Sequence, residues 1–518
     1  MSFDENIDKS ENRDENECID ESENRDENEN INECKGIDES ENTDESIYES
    51  ENTNKSENGD ENVNTVFENN QQKENYVILA LRQWALSGGV ISMSKIDELL
   101  AKLQPVFNNL PKCYKTLLKI DDDIHITYFE NRGQFWYRGI KNYLDGLNLK
   151  KYLQVKQKIE IDINTDGLPL FRSSKKKFWP ILGHLVGTKN YPFIIAIYFG
   201  NSDPNNVKEF LQDFVTEVDN LISNGYVRYG KTFIFLIRHY ILDAPARELI
   251  KCCIGHNGYA SCEKCTVWGE RLDYRQTYID LHAPLRTDES FKNQMQPRHH
   301  KGVSPLLQLN TKMVSQFRLE PMHLVYEGVF KRLLEAWKNW ISPWKLHWTV
   351  VNRISDRLIL LAPSCPQDFA RKPRSLHELS FYKATEFRRL CLYDGIAAFA
   401  SHPDINIYKH FLLLHCGIYI LTSPILYKSF NEYANTLLRT FIQHSITLFR
   451  KLFVVYNVHS LCHLAQECID HGCLDTFSAF RYENKLKMIK SNLKSGFKPI
   501  QQAAKRELEQ ICRFEIYK

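Results

Sequence analysis

The sequence predicts an α/β fold whose core is interrupted by a large all-α insertion and preceded by a disordered acidic tail. Three observations carry that expectation. Residues 1–75 are too polar to pack, residues 158–243 alternate as strands around one amphipathic helix, and the chain beyond about residue 310 follows a helical period.

Charge divides the chain in the same way. The first 75 of its 518 residues hold 26 Asp and Glu against 6 Lys and Arg, a net of −20, so the formally neutral chain carries +20 on the other 443. Imperfect repeats at 20–24, 38–42 and 48–52 build this tail. Its few apolar residues cannot offset the entropy of ordering, so it is expected to be disordered. It is either a solubilising tail or a polyanion that competes with nucleic acid for the basic body. No apolar run approaches the roughly 18 residues of a membrane span. The start, Met1-Ser2-Phe3-Asp4-Glu5, does not read as a signal peptide. Fourteen scattered cysteines then fit a reducing, intracellular setting, as buried thiols or metal ligands.

The elements follow in order. A helical lead-in is expected over 76–156, with helices at 77–85 and 94–103, the second capped by Ser94. The first part of the core, 157–270, opens with Ile159, Ile161 and Ile163 alternating with Glu160 and Asp162, a strand that runs to Asp166-Gly167. Strands at 178–183 and 192–198 come next. A helix at 207–222 then places Phe210, Leu211, Phe214, Val218 and Leu221 on one side, and a fourth strand at 232–237 continues towards Asp243. The order β-β-β-α-β is that of the RNase H-like fold. Residues 271–457 are expected to form the insertion, with helices at 325–340, 375–400, 408–421 and 433–455. Residues 458–518 return to complete the core, through helices at 458–471 and 479–492.

Three acids are candidates for catalysis. Asp166 and Asp243 each close a predicted strand, and strands adjacent in one sheet would bring their carboxylates together. Glu483 lies on a helix that would begin near Ser478 and approach the same point from outside the sheet. Three hard oxygen ligands suit Mg²⁺ or Mn²⁺, and paired ions of this kind activate a nucleophile and stabilise a leaving oxygen in phosphoryl transfer. Taken singly, Asp166 is a turn former beside Gly167, Asp243 a helix cap before Pro245, and Glu483 a solvated helix residue.

A second constellation has the composition of a zinc site. Cys262 and Cys265 form a C-x-x-C, and His459 and His463 are spaced to face one side of a helix. The cysteines follow Asp243 by 19 and 22 residues, and the histidines precede Glu483 by 24 and 20. A structural Zn²⁺ shared by the two pairs would fix the returning chain, and Glu483 with it, against the sheet.

Several stretches carry a resemblance. They include Asp166-Gly167-Leu168-Pro169-Leu170-Phe171, Phe178-Trp179-Pro180-Ile181-Leu182-Gly183 and Asp243-Ala244-Pro245-Ala246-Arg247. Gly255-His256-Asn257-Gly258-Tyr259 before the two cysteines, Met322-His323-Leu324-Val325, and Ser478-Ala479-Phe480 before Glu483-Asn484 complete the set. In this order, across roughly 105–510, they resemble the transposase-like proteins related to the CACTA group. The layout is similar to that of Transib transposases and the V(D)J recombinase catalytic subunit. That resemblance implies an RNase H-like core, metal-dependent cleavage and joining of DNA, and one zinc shared by Cys262, Cys265, His459 and His463. It further implies nuclear location, action on transposon ends and target DNA, and a homo-oligomer, because two ends must be joined.

Where such families show Asp-x-x-His, this chain has Glu320-Pro321-Met322-His323. No zinc finger or helix-turn-helix motif is evident ahead of the core. The copy is therefore expected to be an enzyme dependent on a separate DNA-binding partner, a defective one, or a domesticated, non-catalytic DNA-binding protein that kept the fold. Lys175, Lys176 and Lys177 are candidate contacts to the DNA backbone, or a solvated hairpin tip. His256 is read as a turn or core residue rather than a further zinc ligand, and His299-His300 as an exposed loop rather than a phosphate contact.

Overall fold

The computed structural model describes residues 69–86, 91–118, 124–130, 133–340, 345–400 and 402–516. The disordered tail expected over 1–75 therefore lies outside the described residues except for its end, where a helix, Asn70–Leu86, already begins. The next helix, Met93–Leu103, is capped by Ser92 rather than Ser94, the Ser92 hydroxyl accepting from Lys95 N at 3.3 Å.

Ten strands follow. They are β1 (Thr127–Tyr128), β2 (Gln134–Tyr137), β3 (Lys158–Thr165), β4 (Leu168–Pro169), β5 (Lys177–Leu185), β6 (Phe193–Gly200), β7 (Tyr226–Arg228), β8 (Lys231–Tyr240), β9 (Glu270–Leu272) and β10 (Arg275–Thr277). The first eight make one mixed sheet in the order β1-β2-β6-β5-β3-β8-β7, with β4 paired to β5; β9 and β10 form a separate hairpin. β5 runs antiparallel to β3 and to β6, whereas β8, reached through the helix Val207–Asn224, lies parallel to β3. The lead-in, expected to be helical, thus also supplies the edge strand β1 and its neighbour β2, which pairs with β6 from Gln134↔Phe199 to Tyr137↔Ala196.

Both faces of the sheet are covered. On one, Ile159, Ile161 and Ile163 of β3 join Phe210, Phe214, Val218 and Leu221 of Val207–Asn224 in a continuous apolar cluster. Each such side chain contributes about 1.5–3 kcal/mol on burial. On the other, Phe178, Leu182, Ile194 and Ile197 meet Leu486 and Ile489 of the helix Phe480–Ser491 and Ile500 and Ala504 of Pro499–Ile516. The C-terminal helices therefore pack on the sheet that opened the core. Pro180 falls inside β5, between the residues paired with β4 and those, from Ile181 onward, paired with β3. Its missing N–H costs nothing there, because β3 has just ended at Thr165.

Between the hairpin and the C-terminal helices the chain is mainly helical, with Ile405–Thr422 packed against Asn431–Phe449. The helix expected at 375–400 is broken into Leu376–Phe381, Ala384–Arg389, Leu390–Asp394 and Gly395–Phe399. Side-chain capping interrupts it: the Glu386 carboxylate accepts from Lys383 N at 2.8 Å and is held by Arg374 at 2.7 and 3.0 Å. Among the described residues no helix is long and apolar enough to cross a membrane.

Candidate active site and metal centre

Parallel pairing of β3 with β8 brings two acids to the same edge. Ile241 N donates to Ile163 O at 2.8 Å and the Asn164 amide to Ile241 O at 2.7 Å, so the chains leave the sheet side by side. Asp166 is the first residue after β3, and Asp243 caps the helix Ala244–Lys251, one carboxylate oxygen accepting from Ala246 N at 2.8 Å. Gly167 beside Asp166 lies close to the Trp179 ring, which a Cβ there would approach to 3.2 Å.

Glu483 projects from the first turn of Phe480–Ser491. Ligand atoms of Asp166, Glu483 and His323 all lie within 4.8 Å of one another. Burial, and then the charges of Asp243 and Glu483, push the Asp166 carboxyl well above the ordinary range. Burial likewise raises Glu483. Crowded carboxylates of this kind are a poor arrangement without a cation among them. Asp166, His323 and Glu483 together form a group that could hold a metal ion.

His323 enters this cluster from the helical region. Its Nε2 is 3.9 Å from Glu483 Oε1, and its Nδ1 is 2.7 Å from Glu320 Oε1. Burial alone would lower its pKa, but Glu320, Asp166 and Asp243 together raise it to about 10. Glu320 is buried and multiply engaged. It accepts from the backbone N–H of Met322 (2.8 Å), His323 (2.7 Å) and Ala479 (3.3 Å). One carboxylate thereby ties the start of the His323 helix to the start of the Glu483 helix. The His323 segment, Met322–Phe330, is a π-helix, a local widening that is frequent at functional sites.

The second cluster is the Cys₂His₂ group. Cys262 Sγ lies 3.5 Å from His463 Nε2, Cys265 Sγ 3.3 Å from His459 Nε2, and the two sulfurs are 3.5 Å apart. Tetrahedral zinc with ordinary Zn–S and Zn–N bonds has edges of about 3.5–3.8 Å, so the donor set and its spacing fit such an ion. Contact with Cys265 and the two imidazoles holds the Cys262 thiol well below its ordinary range, although burial opposes this. His459 Nδ1 faces Tyr278 O at 3.1 Å, which fixes the ring orientation. The histidines do not share one continuous helix: Tyr456–Ser460 passes into a 3₁₀ turn, Leu461–His463, before Leu464–His471.

The two residues between the cysteines, Glu263 and Lys264, are both buried and paired. Glu263 accepts from Arg247 (2.7 Å), Lys251 (2.6 Å) and Tyr456 (3.0 Å). Lys264 meets Glu467 at 2.6 Å and the carbonyls of Val314 (2.7 Å) and Phe317 (2.8 Å). Arg247 and Lys251 lie on the helix that Asp243 caps, and Glu467 follows His463 on Leu464–His471. Ion pairs thus clasp the same two segments as the metal ligands. The one signal in the sequence was a cationic pair four residues apart, Arg247 and Lys251, on one helix.

Other candidates fall elsewhere. Lys177 is paired with Asp203 at 2.7 Å, and Lys175 and Lys176 are exposed. His256 stands outside the Cys₂His₂ group. His299, expected in an exposed loop, is buried instead, its Nδ1 2.6 Å from Ala260 O, because the segment packs beneath the cysteine loop. Neither the models of known protein families nor the curated proteins give a match to this chain.

Proposed function

We propose that this chain is the catalytic core of a DDE-type DNA transposase, an RNase H-like domain that performs metal-dependent phosphoryl transfer at Asp166, Asp243 and Glu483. The observation that supports it best is the approach of Asp166 and Glu483, 317 residues apart in the chain, at the end of β3, with the Asp243 charge beside them. The β3–β5–β6 antiparallel set with β8 parallel to β3 is the strand arrangement such a domain requires. Asp166, Glu483 and the oxygen of Asp243 left over from capping would hold Mg²⁺ or Mn²⁺. A bound pair of such ions lowers the pKa of water and offsets charge on the leaving oxygen. The Cys₂His₂ group would take zinc and keep the Glu483 helix against the sheet. DNA is then the partner, the nucleus the location, and an assembly holding two ends the working form.

Purified protein should nick supercoiled plasmid in Mg²⁺ or Mn²⁺, and Asp243→Asn or Glu483→Gln should reduce nicking to background while zinc content stays constant. Equal nicking by wild type and both variants would remove the acids from the chemistry.

A further inference from the structure

A cleft of about 540 Å³ opens between the cysteine loop and the helical region. His256, Asn257, Arg271, Arg275, Gln276 and Asn457 contribute to its walls, and no carboxylate lines it. Arg271 is exposed and makes no ion pair among the described residues. Arg275 rests over the Trp340 ring at 5.8 Å, and His256 Nδ1 is buried with no hydrogen-bond partner among the described residues. Two guanidinium groups, three amides and an open imidazole nitrogen make a donor-rich, cationic lining of the kind that recognises phosphate.

The surroundings extend this chemistry. The two arginines flank the β9–β10 turn, whose tip, Asp273-Tyr274, adopts left-handed φ values of 42° and 61° and leaves Tyr274 93% exposed. Immediately before β9, Trp268 stacks on Tyr259 (ring centroids 5.6 Å apart, 17° between planes), and Arg298 lies over Trp268 at 5.1 Å. Both rings are exposed, at 53% and 44%. A basic groove with an aromatic platform beside it is how proteins hold a strand with unpaired bases. The cleft also reaches the helix that carries His323. A Cβ at Gly328 would lie 2.4 Å from the Asn457 amide and 2.7 Å from His323 O, so Asn457 packs against the helix that carries His323.

We propose that this cleft binds the sugar–phosphate backbone of a DNA strand, with Trp268 and Tyr274 stacking on its unpaired bases. The assignment rests on the reading of the chain as a DNA-acting enzyme, and it supplies contacts that the acidic cluster itself does not. Each phosphate contact adds about 0.7 to the salt slope of single-strand binding.

The test is fluorescence anisotropy of the full chain with a labelled single strand and with its duplex, over a range of NaCl. Arg271→Ala with Arg275→Ala should weaken single-strand binding about tenfold and reduce the salt slope by about 1.4. Lys151→Ala with Lys189→Ala removes the same charge from exposed positions outside the cleft and should change neither. Trp268→Ala should weaken the single strand more than the duplex. Zinc content and circular dichroism check folding, and Arg271→Ala alone serves if the double variant is unstable. A wild type that binds DNA as the cleft variant does overturns the cleft and leaves the nuclease reading standing. Binding through the cleft without any nicking keeps the cleft and ends the nuclease reading. No DNA binding by the wild type removes both.

Discussion

At the scale of single residues, the acidic cluster and the buried ion pairs behave oppositely. Asp166 and Glu483 hold protons above the ordinary carboxylate range. In metal-free protein the folded chain therefore keeps protons that the unfolded chain releases, and the contribution of these groups falls as pH rises above about 4. Asp166→Asn should stabilise the metal-free protein by about 1 kcal/mol at neutral pH, and less as pH falls towards 4; thermal melts in chelator measure it. A neutral substitution that destabilises at pH 7 would mean the carboxylates are not crowded. Glu263 is the reverse, a carboxylate held low by Arg247 and Lys251 although burial opposes it. Glu263→Ala would leave two buried cations without their partner and should cost about 3–5 kcal/mol in urea unfolding. His323, raised to about 10, adds stability that is complete below its unfolded value of about 6.5 and is lost as pH rises through the folded value. Glu320→Gln should bring the His323 titration, followed by NMR of the metal-free protein, down by more than one unit.

At the scale of elements, the Cys₂His₂ group and Glu320 hold the returning segment at two successive helices. Leu464–His471 follows His463 directly, and the Glu320 carboxylate meets Ala479 N just before Phe480–Ser491. Removing zinc with a chelator, or by Cys262→Ser, should raise amide hydrogen exchange across 456–491 more than across β3, β5 and β6, whose ladders do not depend on the clasp. Uniform loosening of both regions would mean that the metal stabilises the whole fold rather than the returning segment.

Across the whole molecule, the Cys–His contacts and the Lys264–Glu467 ion pair together close a span of about 200 residues between the cysteine loop and the segment after His459. Closing so long a loop carries a large entropic cost, which is why one clasp is reinforced by another. Cys262→Ser and Glu263→Ala touch the same short loop and should be non-additive in stability, because loss of either allows the other contact to loosen.

Residue types and local spacing determined a good deal by themselves. The alternation of Ile159, Ile161 and Ile163, the apolar stripe of 207–222 and the Cys and His pairs all depend on periodicities of 2 and 3.6 or on ligand chemistry, which act over a few residues. Those signals placed Asp166 at the end of β3, whereas His459 and His463, expected on one helix, fall on a short helix and the 3₁₀ turn after it. Only the tertiary structure decided that His323 joins Asp166 and Glu483, that Glu263 and Lys264 are buried with ion partners, and that a cationic cleft opens beside Asn457. It also decided that 375–400 breaks where Arg374 captures Glu386. Each of these depends on contacts between segments distant in the chain, where the gain from pairing a charge in a low-dielectric interior outweighs local propensity, and no pattern within a short window records it.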